Sequence, residues 1–448
     1  MKKLLALTLS LILIMGIFTG CRKNTSNDDD GKIEEANVTL NLAALESAYG
    51  SEVWRKIADA FENENSGIKV ELTTSKTIED VLSPQMKAGD YPDVVHLGTG
   101  REKALTETLV KEKALEDISD VLDMTVPGES VKVKDKLLDG FENTLITKPY
   151  GDNRLYLAPM FYSPCGLFYN QALFEKKGWS VPETWDEMWK LGDKAKKEGI
   201  YLFTYPTSGY FDSLFYALLA SNGNADFYNS ALTYKEGIWD SEEAKKALEI
   251  IGKLADYTEP TTVANANGEN YLKNQQLILN NKALFMPNGT WVVGEMKDAP
   301  MSEDFKWGFT ALPALEEGGD RYSYTFFEQI WVPKGAKNKD LAKKFISFLY
   351  SDKAAKIFAE EGDSPAVQPI KGISRIIDDD ESRMFYEIYD NGAKAVMGSF
   401  ATTQPVEGVS IYDTVFSAID SVVSGEKTVD EWRQAIAKAS DKLREAMK

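Results

Sequence analysis

His96 is the only histidine in this chain of 448 residues, and Cys21 and Cys165 are its only cysteines. That inventory closes off several chemistries. A zinc-protease helix needs two histidines one turn apart, and imidazole-rich metal sites need more than one. A Ser-His-Asp relay would have to be built on His96 alone. No Gly-rich loop ending in Gly-Lys-Ser/Thr occurs, so the chain is not expected to hydrolyse ATP. The 70 Asp and Glu residues offer many carboxylate pairs of the kind a glycosidase sets across a cleft. Abundance selects none of them, and a secreted glycoside hydrolase stands as the alternative function. An all-carboxylate calcium site is compatible with this composition, but no cofactor or resident metal is expected.

What remains is the chemistry of binding. The formal net charge of −19 argues against nucleic acid, which needs a basic patch, and against attraction to anionic head groups. It suits a neutral ligand. The chain is rich in flat rings, with 20 Tyr, 21 Phe and 9 Trp. Saccharides present apolar C–H faces that stack on such rings. Their hydroxyls need carboxylates, amides or Arg, because a buried unpaired hydroxyl is costly.

The first thirty residues carry an address. Met1-Lys2-Lys3 is basic, and Leu4 to Phe18 is a nearly unbroken apolar run. This is the pattern of a secretory signal, and the run is short of the roughly 20 residues of a spanning helix. It ends at Phe18-Thr19-Gly20-Cys21, which resembles a bacterial lipobox, with Cys21 as the acylated mature N-terminus. We therefore read 1–20 as signal peptide and 21–36 as a flexible tether, since Arg22 to Gly31 holds no apolar residue and cannot fold alone. Asp28-Asp29-Asp30 belongs to that solvated tether. Cys165 then reads as a lone buried thiol.

Behind the tether the periodicity alternates. Val38 to Leu42 and Ile68 to Leu72 have strand spacing, Ser51 to Asn63 has helical spacing, and Asp93 to Leu97 is a short apolar strand. Gly166 to Asn170 reads as another strand. Thr184-Trp185-Asp186-Glu187 and Thr428-Val429-Asp430-Glu431 read as capping boxes opening helices. The pattern is that of an α/β protein with two lobes.

Several segments resemble, in order along the chain, the extracellular solute-binding proteins that include maltose-binding protein. They are Phe61 to Val70, Gly89 to Val95, Leu167 to Asn170 with Val181 to Glu187, Met286 to Trp291, Trp307 to Pro313, Ala336 to Phe345, and Ser424 to Glu431. Tyr162 to Asn170 and Thr325 to Gln329 are most similar to the N-acetylglucosamine and diacetylchitobiose binders. Related members take cello-oligosaccharides.

The resemblance implies a type II periplasmic-binding-protein-like fold with discontinuous lobes joined by hinge crossovers. The expected limits are 37–158 with 314–350 for the N-terminal lobe and 163–310 with 352–448 for the C-terminal lobe. It also implies a carbohydrate ligand, permease subunits, and through them an ATPase. The protein would be a monomer on the outer face of the cytoplasmic membrane, held by its lipid alone.

Ligands of open α/β sheets sit beyond the carboxyl ends of strands. That position selects Glu46 and Tyr49 behind the first strand and His96 at the end of the third. Arg101 falls where maltose-binding protein has a sugar-binding Arg, although Gly100 stands where that protein has an Asp. Tyr210 with Asp212, Trp291 and Tyr412 fall at its other contact positions. Trp291 is expected to project from a turn at Asn288-Gly289. Glu328 and Gln329 are expected in a loop before the strand at Ile330.

Overall fold

The structure is a computed structural model that describes residues 38–447 except 363, and the side chains of all of these but 208, 209 and 269. The signal, the tether and Cys21 lie outside the described residues.

Nine strands appear among the described residues: β1 Val38–Leu45, β2 Ile68–Ser75, β3 Val94–His96, β4 Ala158–Asn170, β5 Tyr201–Phe203, β6 Ala283–Gly289, β7 Trp307–Thr310, β8 Tyr322–Trp331 and β9 Lys394–Val396. The order is β2-β1-β3-β8-β4-β6-β5, with β7 also on β4 and β9 also on β8. Pairing is parallel within β2-β1-β3 and between β5 and β6, as strand–helix–strand units require. Across the middle, β3–β8, β8–β4 and β4–β6 are antiparallel.

Local sequence explains the first unit. In the helix Glu52–Glu64, Val53, Trp54, Ile57, Ala58 and Phe61 recur at helical spacing and all are buried. Gly67, at φ +81°, turns the chain into β2. The Phe61 ring meets Phe345 at 5.0 Å and Phe348 at 5.4 Å, edge-on and tilted. Those rings belong to the helix Lys339–Leu349, so residues nearly three hundred positions apart share one core. Large side chains buried in this way contribute roughly 1.5–3 kcal/mol each.

A second core gathers Phe215, Trp239 and Phe416 with Trp432 of the terminal helix Val429–Ala446. Each core thus draws on distant segments, as two discontinuous lobes demand. The strands β4 and β8 run past both. Their pairing extends from Ala158 opposite Ile330 to Cys165 opposite Tyr324, with a register shift between Pro159 and Tyr162. Such irregularities bend a strand locally.

Two expectations about local structure need correction. Asn288 and Gly289 do not form a turn. They end β6 and pair with Gly166 and Cys165 of β4, because the buried run Ala283 to Gly289 fits the middle of a sheet. Glu328 and Gln329 are not in a loop either but within β8, which extends well upstream of Ile330. The Thr428–Glu431 capping box is complete. At Thr184 the hydroxyl accepts from Glu187 N, while the Glu187 carboxylate accepts from Glu183 N at 2.8 Å. Cys165 is a buried free thiol, and burial pushes its pKa well up.

Candidate ligand cleft

A cleft of about 1040 Å³ opens along β8. Tyr324 to Glu328 of that strand line it, facing Trp291 on one side and Tyr49 with Thr99 and Gly100 on another. The segment Ser364 to Val367 and the helix Asp380–Asp390, through Glu381, Phe385 and Tyr386, complete the wall.

Trp291 stands directly after β6, at the start of the short helix Val292–Glu295. Its indole lies against Gly289, where any Cβ would overlap the ring. Glycine is thus required there by close approach. Phe326 and Tyr210 flank the indole with ring centroids 5.8 and 6.0 Å away. Phe326 is 42% exposed, an unfavourable state for a large ring unless something covers it.

Tyr210 does not reach the cleft. It is buried, stacks on Tyr271 at 5.6 Å and donates its hydroxyl to Glu295 at 2.9 Å. Glu295 also accepts from Gln275 Nε2 at 2.8 Å. These bonds hold the short helix that presents Trp291.

The polar end of the cleft is Glu328. Its Oε2 accepts from the Tyr49 hydroxyl at 2.7 Å and lies 3.0 Å from His96 Nε2. Burial pushes the Glu328 carboxyl up, but the neighbouring His96, the Tyr49 hydroxyl and the Arg101 charge outweigh it, and the carboxyl sits below its ordinary value. Burial, then Glu328, push the Tyr49 phenol well up. His96 itself is fully buried among Trp54, Phe161 and Tyr49, so it supports the carboxylate from behind. Gln329 is also fully buried. It accepts from Thr99 N at 2.8 Å and donates to Phe327 O at 2.6 Å, tying the loop after β3 to β8.

The remaining candidates lie off the cleft lining. Arg101 donates from Nε to Glu79 at 2.9 Å, so only its neighbours Thr99 and Gly100 reach the cleft. Glu46 lies 3.9 Å from Lys76 Nζ, leaving Ser47 to Tyr49 to line the wall. Asn288 is fully buried, with its carbonyl oxygen accepting from Gly289 N at 2.8 Å; a position inside the sheet shields it from the cleft. Tyr412 is 40% exposed and meets Phe416 edge-on at 5.0 Å. Asp212 starts the helix Asp212–Asn222 after a π-turn, and accepts from Ser213 N at 2.8 Å. Burial raises its pKa to about 6.

Phe326, Phe385, Tyr386 and Glu381 escaped the sequence reading. Phe326 lies in the Thr325 to Gln329 segment of family resemblance, and strand alternation exposes one of the adjacent rings Phe326 and Phe327. Nothing local marks the helix Asp380–Asp390 as a cleft wall.

Among the described residues no group of His, Cys, Asp or Glu could hold a metal ion, and no helix is long and apolar enough to cross a membrane.

The model of the bacterial extracellular solute-binding protein family matches residues 56–374. The chain belongs to this family. Among solute-binding relatives, it is 24% identical over 343 residues to the diacetylchitobiose-binding protein of Streptomyces coelicolor, covering 75% of this chain and 71% of that one. It is 25% identical to the multiple sugar-binding protein of Streptococcus mutans, covering 71% and 72%. The galactooligosaccharide-binding protein of Bacillus subtilis is 26% identical, with 79% and 83% covered. In fold, it matches the apo form of RafE from Streptococcus pneumoniae with a TM-score of 0.65 at 19% identity, over 90% of this chain and 98% of that chain. It matches the sugar-binding protein MalE from Xanthomonas citri with a TM-score of 0.64 at 18% identity, over 92% and 97%. The two-lobe fold of this solute-binding protein is therefore that of the maltose-binding-protein group.

Proposed function

We propose that this chain is the substrate-binding lipoprotein of a carbohydrate importer and captures a mono- or oligosaccharide between its lobes. The observation that carries the reading is the pairing, in one cleft, of the half-buried Trp291 and exposed Phe326 with the carboxylate of Glu328. Rings offer a face for sugar C–H groups, and an ionised carboxylate accepts sugar hydroxyls. The names of the relatives point the same way, and that of the S. coelicolor protein favours diacetylchitobiose, with N-acetylglucosamine or a cello-oligosaccharide as the neighbouring choice.

Trp291, Tyr49, Glu328 and Phe326 touch the ligand in this reading. His96, Gln329, Tyr210 and Asn288 hold those groups in place. Arg101, Glu46, Asp212 and Tyr412 are contacts proposed for a closed, ligand-bound form, reached by hinge bending between 37–158 with 314–350 and 163–310 with 352–448. Permease subunits and their ATPase take the sugar onward, and Cys21 carries the lipid that keeps the monomer at the extracellular face of the cytoplasmic membrane. The protein binds its sugar without cleaving it.

Differential melting with N-acetylglucosamine, diacetylchitobiose, cellobiose, maltose and xylobiose tests the reading, because a ligand of the native state alone raises its melting temperature. At least one β-linked sugar is expected to do so and to be recovered intact after long incubation. Shortened products traceable to this chain would instead support the hydrolase.

A further inference from the structure

Below the cleft lies a second groove of about 500 Å³. Val293 and Glu381 line both, so the two spaces are neighbours that share those two residues. The floor of the groove is apolar: Met301, Phe305, Trp307 and Met384 line it. Met301 is 44% exposed. Trp307 is held edge-on by Phe305 at 4.8 Å and by Phe168 at 5.7 Å, which fixes the indole in place. The rim carries Lys297 and Lys306, and neither ammonium has an ion pair or side-chain hydrogen bond among the described residues. Glu381, at the junction, likewise shows no side-chain partner among them.

We propose that the cleft and this groove form one continuous binding track, and that the ligand is an oligosaccharide longer than a disaccharide. This rests on the reading of the cleft as a sugar site. The units beyond those held at Trp291 pass between Val293 and Glu381 and lie over Met301 and Trp307. Two observations favour that occupant. An aromatic floor with polar groups at its edge is the amphipathic surface a pyranose ring needs. The rim offers the ammonium groups of Lys297 and Lys306 and the carboxylate of Glu381 to sugar hydroxyls, while Asp380 is held by Arg383.

Calorimetric titration with chito- and cello-oligosaccharides of two to six units tests the track. In the unaltered protein, affinity for the better series is expected to rise roughly tenfold between two and five units. The double variant Lys297→Ala/Met301→Ala changes two exposed side chains, so it should melt like the parent. It is expected to keep the two-unit affinity and lose the gain. Trp307→Ala should act the same way, with a lower melting temperature because its ring is partly buried. Equal affinity for two and five units overturns the track and leaves sugar capture standing, as does a double variant that retains the whole gain. Failure of every sugar at every length overturns the underlying reading as well.

Discussion

At the scale of single residues, Trp291 is set to contribute most. Its ring is supported from behind by Tyr210 and faces Phe326, so it is pre-organised before any ligand arrives. Trp291→Ala is expected to weaken sugar binding on the order of 100-fold, read by calorimetry, with only a modest fall in melting temperature. A large fall with normal binding would make the ring a packing residue. Gly289→Ala is the sharper probe. It leaves the indole present but drives a methyl into it, so affinity should drop although no ligand-facing atom has been removed. Asp212 supplies a test by pH. Its folded pKa of about 6 lies above the ordinary carboxylate value, so between about pH 4 and 6 the native state binds more protons than the unfolded one. Stability from this group is then lost as pH rises through that window. Asp212→Asn should raise the melting temperature relative to the parent at pH 7 and leave it little changed at pH 4. A difference that does not depend on pH would reject the buried-carboxylate account.

Among the elements, β8 decides the site. Five consecutive residues of that strand line the cleft, and its pairing with β4 runs past both cores. A ligand seated on β8 therefore touches a strand that contributes residues to both cores. Helix ends are a separate matter of stability. The Thr428–Glu431 capping box fixes the start of the helix that brings Trp432 into its core. Thr428→Ala should cost about 1 kcal/mol, seen as a lower midpoint in denaturant with the slope and the sugar affinity unchanged.

For the whole molecule, the expectation concerns attachment. The apolar run ending at Thr19-Gly20-Cys21 leads us to propose that the mature chain is tethered by lipid on Cys21. Cys21→Ala is expected to yield soluble or unprocessed protein that no longer incorporates a fatty-acid analogue in metabolic labelling. An unlabelled parent protein would remove the anchor from the account. Free of its anchor, the folded part should bind sugar unchanged, because Trp291, Phe326, Tyr49 and Glu328 all follow the tether in the chain.

The sequence by itself determined what local periodicity and local hydrogen bonding can determine. Apolar spacing marks strands at Val38 to Leu42 and Ile68 to Leu72 and a helix at Ser51 to Asn63, close to the observed β1, β2 and helix Glu52–Glu64, and Thr428 and Thr184 mark helix starts because side chains nearby in sequence cap them. The family resemblance pointed to Trp291 and Glu328 and the strand-end position to Tyr49, and all three line the cleft. Only the tertiary structure decided which candidates face the cleft. Asn288 and Gln329 turned inward because they lie in paired strands, whose neighbours come from β4, β3 and the loop after it. Arg101 turned toward Glu79, twenty-two residues earlier. Phe326 and Glu381 line the cleft and Trp307 the groove through contacts between segments far apart in the chain. Side-chain direction in a sheet is set by register, and register is fixed by which strand lies alongside. No window of the sequence contains that partner.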